Sequence, residues 1–79
     1  MSAIGERIRK TRLARGLTQE QAARSICGGL RARVGPSAAK RIEPLLEILT
    51  PNVFTWSRWE QGVRTPGPMH ALLLRWWAE

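Results

Sequence analysis

The chain contains one cysteine, one histidine, and no aspartate or tyrosine. A single cysteine excludes a disulfide scaffold and a structural zinc site built from cysteine pairs, so we expect Cys27 to be a small buried apolar residue. His70, without any aspartate or glycine-rich phosphate loop, leaves too few groups for an enzyme site, and we expect it on a helix surface. The sequence therefore predicts no enzymatic activity, no cofactor and no metal.

Long apolar runs are also missing. The longest run, from Ala71 to Leu74, has four residues, whereas a membrane-spanning helix needs about 20. The chain starts with MSAIGERIRK, which is charged early and lacks the apolar block of a signal peptide. We expect a cytoplasmic protein with no membrane contact.

Positive charge is abundant and unevenly distributed. The 79 residues carry 13 lysines and arginines against six glutamates, a formal net charge of +7. Residues 1–41 hold ten of these cations and two glutamates, while residues 42–79 hold three arginines and four glutamates. This pattern is typical of one surface for a polyanion and another for packing or self-association, and the alternative is a solvated basic surface. The length fits one domain, residues 1–79, with a thin core.

Capping residues predict two consecutive helices within residues 1–27. Ser2 can cap a first helix, and Gly16 can end it. The tetrapeptide from Thr18 to Gln21 matches a capping box, which predicts a second helix running to Ile26 or Cys27. Gly28 and Gly29 are expected to terminate that helix by supplying a left-handed residue.

The middle of the chain is harder to interpret. Gly35 and Pro36 predict a break, after which Ser37 can cap a helix. Pro44 either kinks this helix or starts a new one at its first position, and the sequence leaves both possibilities open. The residues expected on one buried side are Ala39, Ile42, Leu45, Leu46 and Leu49.

Two further helices follow. Asn52 can cap a helix over Val53–Gln61 that Gly62 closes, with Trp56 and Trp59 on its inner face. Pro68 can open a last helix that is apolar on several faces, more than a monomer of this size should cover. Its apolar residues are Met69, Leu72, Leu73, Trp76 and Trp77. All of these patterns predict an all-α fold.

A resemblance to a known family is carried by two stretches, IGERIRKTRLARGLTQEQAARSI and WSRWEQGVRTPGP. The first resembles the opening two helices of the Xre/Cro/CI-type helix-turn-helix family, and the second resembles the end of its recognition helix and the turn that follows. The resemblance implies a compact lambda-repressor-like domain of five or six helices, which binds a palindromic double-stranded DNA operator as a homodimer. Unlike the family, this chain has a helical insertion at residues 28–51. A rival register places VGPSAAKRIEP as the recognition cassette, with Glu43 in the role of Glu60. We favour the later cassette, because Glu43 is followed by proline and not by glycine.

The resemblance also implies roles for individual residues. Base contacts would come from recognition helix 53–61, backbone contacts from residues around the motif, an ion pair from the first and third family helices, and dimer contacts from helix 68–79. Arg64 follows the recognition helix, where turns lie against phosphates. The insertion cations Arg31, Arg33, Lys40 and Arg41 form either a second phosphate-binding site or a solvated face. The residues with implied roles are Val53, Phe54, Ser57 and Arg58 for bases; Thr18, Gln19, Asn52, Arg64, Arg31, Arg33 and Lys40 for the backbone; Arg12 and Glu60 for the ion pair; and Leu73, Trp76 and Trp77 for the dimer.

The expected function is a repressor of a short phage-type operon, with an anti-CRISPR-associated regulator as one possibility. The alternative is an antitoxin that binds a toxin protein through the insertion or the tryptophan-rich end, as well as its own promoter. The side chains at two positions differ in size from the family pattern: Ala22 is smaller and Trp56 is larger. We expect Trp56 to fill the space that Ala22 leaves, which keeps the core volume constant.

Overall fold

The computed structural model describes residues 3–79, and these residues form helices connected by turns, without a strand. The all-α prediction is therefore confirmed, while the expected cap at Ser2 lies outside the described residues. Within this range, no helix is both long and apolar enough to cross a bilayer. The six helices are α1 (Ala3–Ala14), α2 (Gln19–Ser25), α3 (Gly28–Arg41), α4 (Glu43–Leu49), α5 (Val53–Gln61) and α6 (Pro68–Trp77).

Local capping chemistry sets most of the helix ends. Gly16 ends α1 with φ 67°, a conformation that costs glycine little. The capping box of α2 forms as predicted, since Thr18 Oγ1 accepts from the Gln21 amide and Gln21 Oε1 accepts from the Thr18 amide. At α5, Asn52 Oδ1 accepts from the Thr55 amide at 2.8 Å, and Gly62 closes the helix with φ 75°.

The prediction that Gly28 and Gly29 end α2 in a left-handed turn is wrong. Neither glycine has a positive φ, and both lie in the first turn of α3. Gly29 has a packing role instead, because a Cβ atom there would lie 3.0 Å from Trp76 Cβ. The missing side chain lets α3 approach α6 closely.

The predicted break in the insertion occurs at Gly35, which interrupts α3 with φ 82°. Gly35 separates two helical segments of α3, so a helix does begin again after the break, as predicted, with Ser37 in the first turn of the second segment. Of the two possibilities at Pro44, a new helix is observed, with the proline in its first turn. Because α4 is a new helix, its buried face does not continue the helical periodicity of α3. Leu46 is fully buried, whereas Leu45 is exposed, contrary to the predicted buried side.

The core centres on three indoles. The Trp56 ring lies 5.1 Å from the Trp77 ring in an edge-on arrangement and 6.2 Å from the Trp59 ring. Ala22 and Trp56 are both completely buried, on helices that pack against each other. Cys27 is buried, as predicted. The other buried apolar residues are Ile8, Ala23, Ile26, Ala39, Leu46, Leu73 and Leu74.

The expected dimer contacts of α6 need correction. Leu73 is 1% exposed and Trp77 is 5% exposed, so the chain's own core covers both side chains. Trp77 Nε1 also donates to Ser25 Oγ at 2.7 Å. Trp76 is partly covered by Gly29 and by the Arg33 guanidinium, 4.7 Å above its ring. The apolar surface of α6 is thus covered within the chain, Trp77 by Trp56 and Ser25 and part of Trp76 by α3.

Candidate nucleic-acid interface

One buried carboxylate joins α1, α2 and α5. Arg12 Nε donates to Glu60 Oε2 at 2.7 Å, and Arg12 Nη2 donates to Glu60 Oε1 at 3.1 Å. Gln19 Nε2 donates to the same Oε1 at 3.3 Å, and Trp56 Nε1 donates to Oε2 at 2.5 Å. Arg12 also reaches the Leu17 carbonyl oxygen at 3.1 Å. The ion pair expected between Arg12 and Glu60 is therefore present, and it fixes where α5 lies relative to the first two helices.

The charge state of Glu60 follows from these bonds. Burial alone would raise its pKa, but hydrogen bonds from Arg12, Trp56 and Gln19 stabilise the carboxylate and leave the pKa below its ordinary value. Glu60 is thus ionised at neutral pH. Glu43, the candidate in the rival register, instead pairs with Arg31 at 2.7 Å. This geometry favours the later cassette.

The outward face of α5 carries the residues that were expected to reach bases. Phe54 is 72% exposed, so its side chain lies outside the core. Arg58 is exposed, and Val53 and Ser57 are partly exposed. Since Trp56 and Trp59 point into the core, the helix separates a packing face from a solvent face.

The residues near the motif that were expected to contact the DNA backbone differ in whether their side chains already bond within the protein. Thr18 and Asn52 are exposed but use their side-chain oxygens as helix caps. Gln19 is partly buried and donates to Glu60. Arg64, just after α5, is exposed and forms no ion pair within residues 3–79.

The second phosphate-binding site predicted for the insertion loses two of its four cations, while Arg41 is exposed and forms no ion pair within residues 3–79. Arg31 is paired with Glu43, and Arg33 is paired with Glu79 at 2.5 Å and stacked over Trp76. Both side chains therefore connect α3 to neighbouring parts of the same molecule. Lys40 is exposed and has no acidic partner in the described part of the chain.

Two cations on α1 were not among the residues predicted from the sequence. Arg9 and Lys10 line a groove of about 510 Å³ that is also bordered by Gln19 of α2 and Gln61 of α5. Because three helices form this groove, the sequence alone could not predict it. The only available signal was the helical periodicity of α1, which places both cations away from the buried Ile8.

His70 was wrongly expected to be an ordinary surface residue. Its Nε2 lies 2.8 Å from the Leu49 carbonyl oxygen, and its ring lies 5.1 Å from that of Trp59. His70 thereby links the start of α6 to the end of α4 and to the core.

Comparison of the chain with protein-family models, with curated proteins and with solved structures finds no match. Residues 3–79 also contain no cluster of three or more histidine, cysteine or acidic residues that could hold a metal ion. The features of the molecule that bear on its function are therefore the geometry of α5 and the charges around it.

Proposed function

We propose that the protein is a sequence-specific, double-stranded DNA-binding regulator of the Xre/Cro/CI type with a lambda-repressor-like fold. It would act in the cytoplasm as a homodimeric repressor on a palindromic operator. The observation that carries the proposal is the division of α5, which anchors Trp56, Trp59 and Glu60 inside while presenting Phe54 and Arg58 to solvent.

This face has the chemistry needed to read base edges. An α-helix fits the major groove, an arginine can donate two hydrogen bonds to guanine, and Phe or Val can contact the methyl group of thymine. Arg58, Phe54 and Val53 supply those groups on α5. The net charge of +7 adds the sequence-independent attraction to phosphates that brings such a helix to DNA.

The insertion is compatible with a helix-turn-helix arrangement. Although α3 and α4 separate α2 from α5 in the sequence, α2 and α5 pack directly against each other. The bonds from Gln19 and Arg12 to Glu60 hold α5 in this position before DNA binds. A preorganised helix loses less conformational freedom on binding, which favours affinity.

A homodimer requires a surface that two positively charged copies can bring together. Residues 42–57 and 65–74 contain no lysine or arginine, so repulsion between copies is smallest there. These segments carry four exposed apolar residues of α4 and α6, which replace Leu73 and Trp77 as the expected dimer contacts. Half-sites would lie about 34 Å apart, or a small multiple of that distance. The four residues are Leu45, Ile48, Met69 and Leu72.

The decisive experiment is selection of bound duplexes from a random pool at physiological salt, followed by affinity measurements with Arg58→Ala. We expect a palindromic motif, and we expect Arg58→Ala to cost roughly 1 to 3 kcal/mol on the selected operator and little on random DNA, because only a correct base pair completes its bonds. Equal losses on both DNAs would remove Arg58 from base reading. Failure to enrich any motif would overturn the proposed function.

Arg64→Ala is the matched comparison, since it also removes one exposed arginine beside α5. As a phosphate contact, it should weaken binding to all sequences and lower the salt dependence by about one unit. A sequence-dependent loss for Arg64→Ala would instead make it a base-reading residue.

A second candidate is an antitoxin that also binds a toxin protein. It is favoured by the exposed apolar side chains on the insertion, where Ile48 is 80% exposed and Leu45 is 48% exposed. Exposed apolar groups on a small protein are typical of contact sites for other proteins. If this candidate is correct, the product of the neighbouring gene should co-purify with the protein, and Ile48→Lys should release it. A homodimer with no retained partner would favour the simple repressor.

A further inference from the structure

The groove beside α5 is lined by positively charged side chains that form no ion pair within residues 3–79. It has a volume of about 510 Å³ and lies between α1, α2 and α5. Its walls come from the side of α1 that faces away from the core, from the start of α2 and from the end of α5. The lining residues are Glu6, Arg9, Lys10, Arg12, Leu13, Gln19, Glu60 and Gln61.

The groove carries an excess of positive charge. Arg12 is neutralised by Glu60, which leaves the two exposed cations Arg9 and Lys10 against the single carboxylate of Glu6. Neither cation forms an ion pair within residues 3–79. Their charge is therefore available to an anion from outside, unlike that of Arg31 or Arg33.

The groove adjoins the proposed DNA-reading face at Gln61. Gln61, on its wall, lies three residues after Arg58 and thus on the same side of α5. The major groove is only about 12 Å wide, so a helix lying in it has a sugar-phosphate strand along each side. A strand passing the end of α5 would meet the opening between α1 and α5.

We propose that this groove binds one backbone phosphate of the DNA, with Arg9 and Lys10 as the charged groups and the Gln61 amide as a neutral donor. The inference rests on the proposed function and assigns to α1 a role that the sequence analysis gave to the insertion. Two cations around one phosphate would position α5 along the strand without adding sequence preference.

A second groove provides a matched control. It has a volume of about 280 Å³, lies between α1 and α6, and is bordered by Arg7 and Arg75. The rest of its lining is apolar, with Ala3, Ile4, Ile8, Leu74 and Ala78. The pair Arg7→Gln and Arg75→Gln removes the same charge as Arg9→Gln and Lys10→Gln, but from a groove that no residue of α5 lines.

The test measures binding of the full chain to a short random-sequence duplex between about 50 and 200 mM salt. Random DNA is suitable because a phosphate contact does not depend on sequence. We expect Arg9→Gln with Lys10→Gln to lower the slope of log affinity against log salt by about one, and Arg7→Gln with Arg75→Gln to change it by less than half as much. Glu6→Gln should strengthen binding a few-fold, since it removes the only carboxylate of the groove that Arg12 does not neutralise.

Equal slopes for the two double variants, or weaker binding by Glu6→Gln, would overturn the phosphate site and leave the role of α5 untouched. If the unaltered protein binds no duplex at all, both the proposed function and this site are wrong. Thermal melting of each variant checks that the fold is kept, as expected for exposed positions on α1 and α6.

Discussion

Glu60→Ala is expected to destabilise the protein by about 3 to 5 kcal/mol, because it leaves a largely buried cation without its partner. The Arg12 side chain is only 13% exposed, and the Trp56 N–H group would lose its acceptor inside the core. The total stability of a chain this long is roughly 4 to 12 kcal/mol. The loss would therefore consume a large share of it, and urea unfolding followed by circular dichroism should show a much lower midpoint.

Glu20→Ala is the control for this prediction. Glu20 also pairs with an arginine at 2.7 Å, but both side chains of that pair are more than half exposed. Breaking an exposed pair costs at most about 0.5 kcal/mol on a helix surface. If Glu60→Ala and Glu20→Ala had similar unfolding midpoints, the buried network would not hold the helices together.

The same carboxylate should make stability depend on acid. Because the pKa of Glu60 is lowered in the folded protein from its ordinary value of 4.5, the ionised group contributes stability that is complete above that value and is lost as pH falls through the folded-state pKa. Melting temperatures measured from neutral to acidic pH should therefore fall less steeply for Glu60→Gln than for the unaltered protein. An identical pH profile for the two proteins would contradict the lowered pKa.

Helix ends could be predicted where the decisive contacts are local in sequence. The capping box at Thr18 and the cap at Asn52 involve residues three positions apart, so their geometry depends little on the rest of the fold. Gly29 could not be interpreted in this way. Its role is set by Trp76, which is distant in sequence and lies against it only after α3 and α6 have packed.

The candidate site shows the same division. Arg12 and Glu60 were identified because a resemblance linked two distant motifs, whereas the groove at Arg9 and Lys10 exists only once three helices have assembled. The face of α6 was misjudged for a related reason. An apolar pattern indicates that Trp77 must be covered, but it cannot tell whether a partner or the chain's own core, here Trp56 and Ser25, covers it.

Trp56→Ala is expected to cost about 3 to 5 kcal/mol, the range for truncating a buried aromatic residue. Trp56 has no exposed surface, and its ring packs against those of Trp59 and Trp77. The surrounding helices cannot all close the cavity, since Glu60 would still be held by Arg12. The proposed DNA-reading face should loosen as well, so operator affinity and the unfolding midpoint should fall together.

Two further variants separate the contributions to this loss. Trp56→Phe keeps most of the apolar volume but removes the N–H donor to Glu60, so its smaller cost measures the hydrogen bond. Trp76→Ala removes the same side chain from a partly exposed site, and it should cost less than Trp56→Ala because less buried surface is lost.

If Trp56 fills the space beside Ala22, then Ala22→Leu should lower the melting temperature, since overpacking a filled core costs about 1 to 3 kcal/mol. A higher melting temperature for Ala22→Leu would mean that Trp56 does not fill the space beside Ala22.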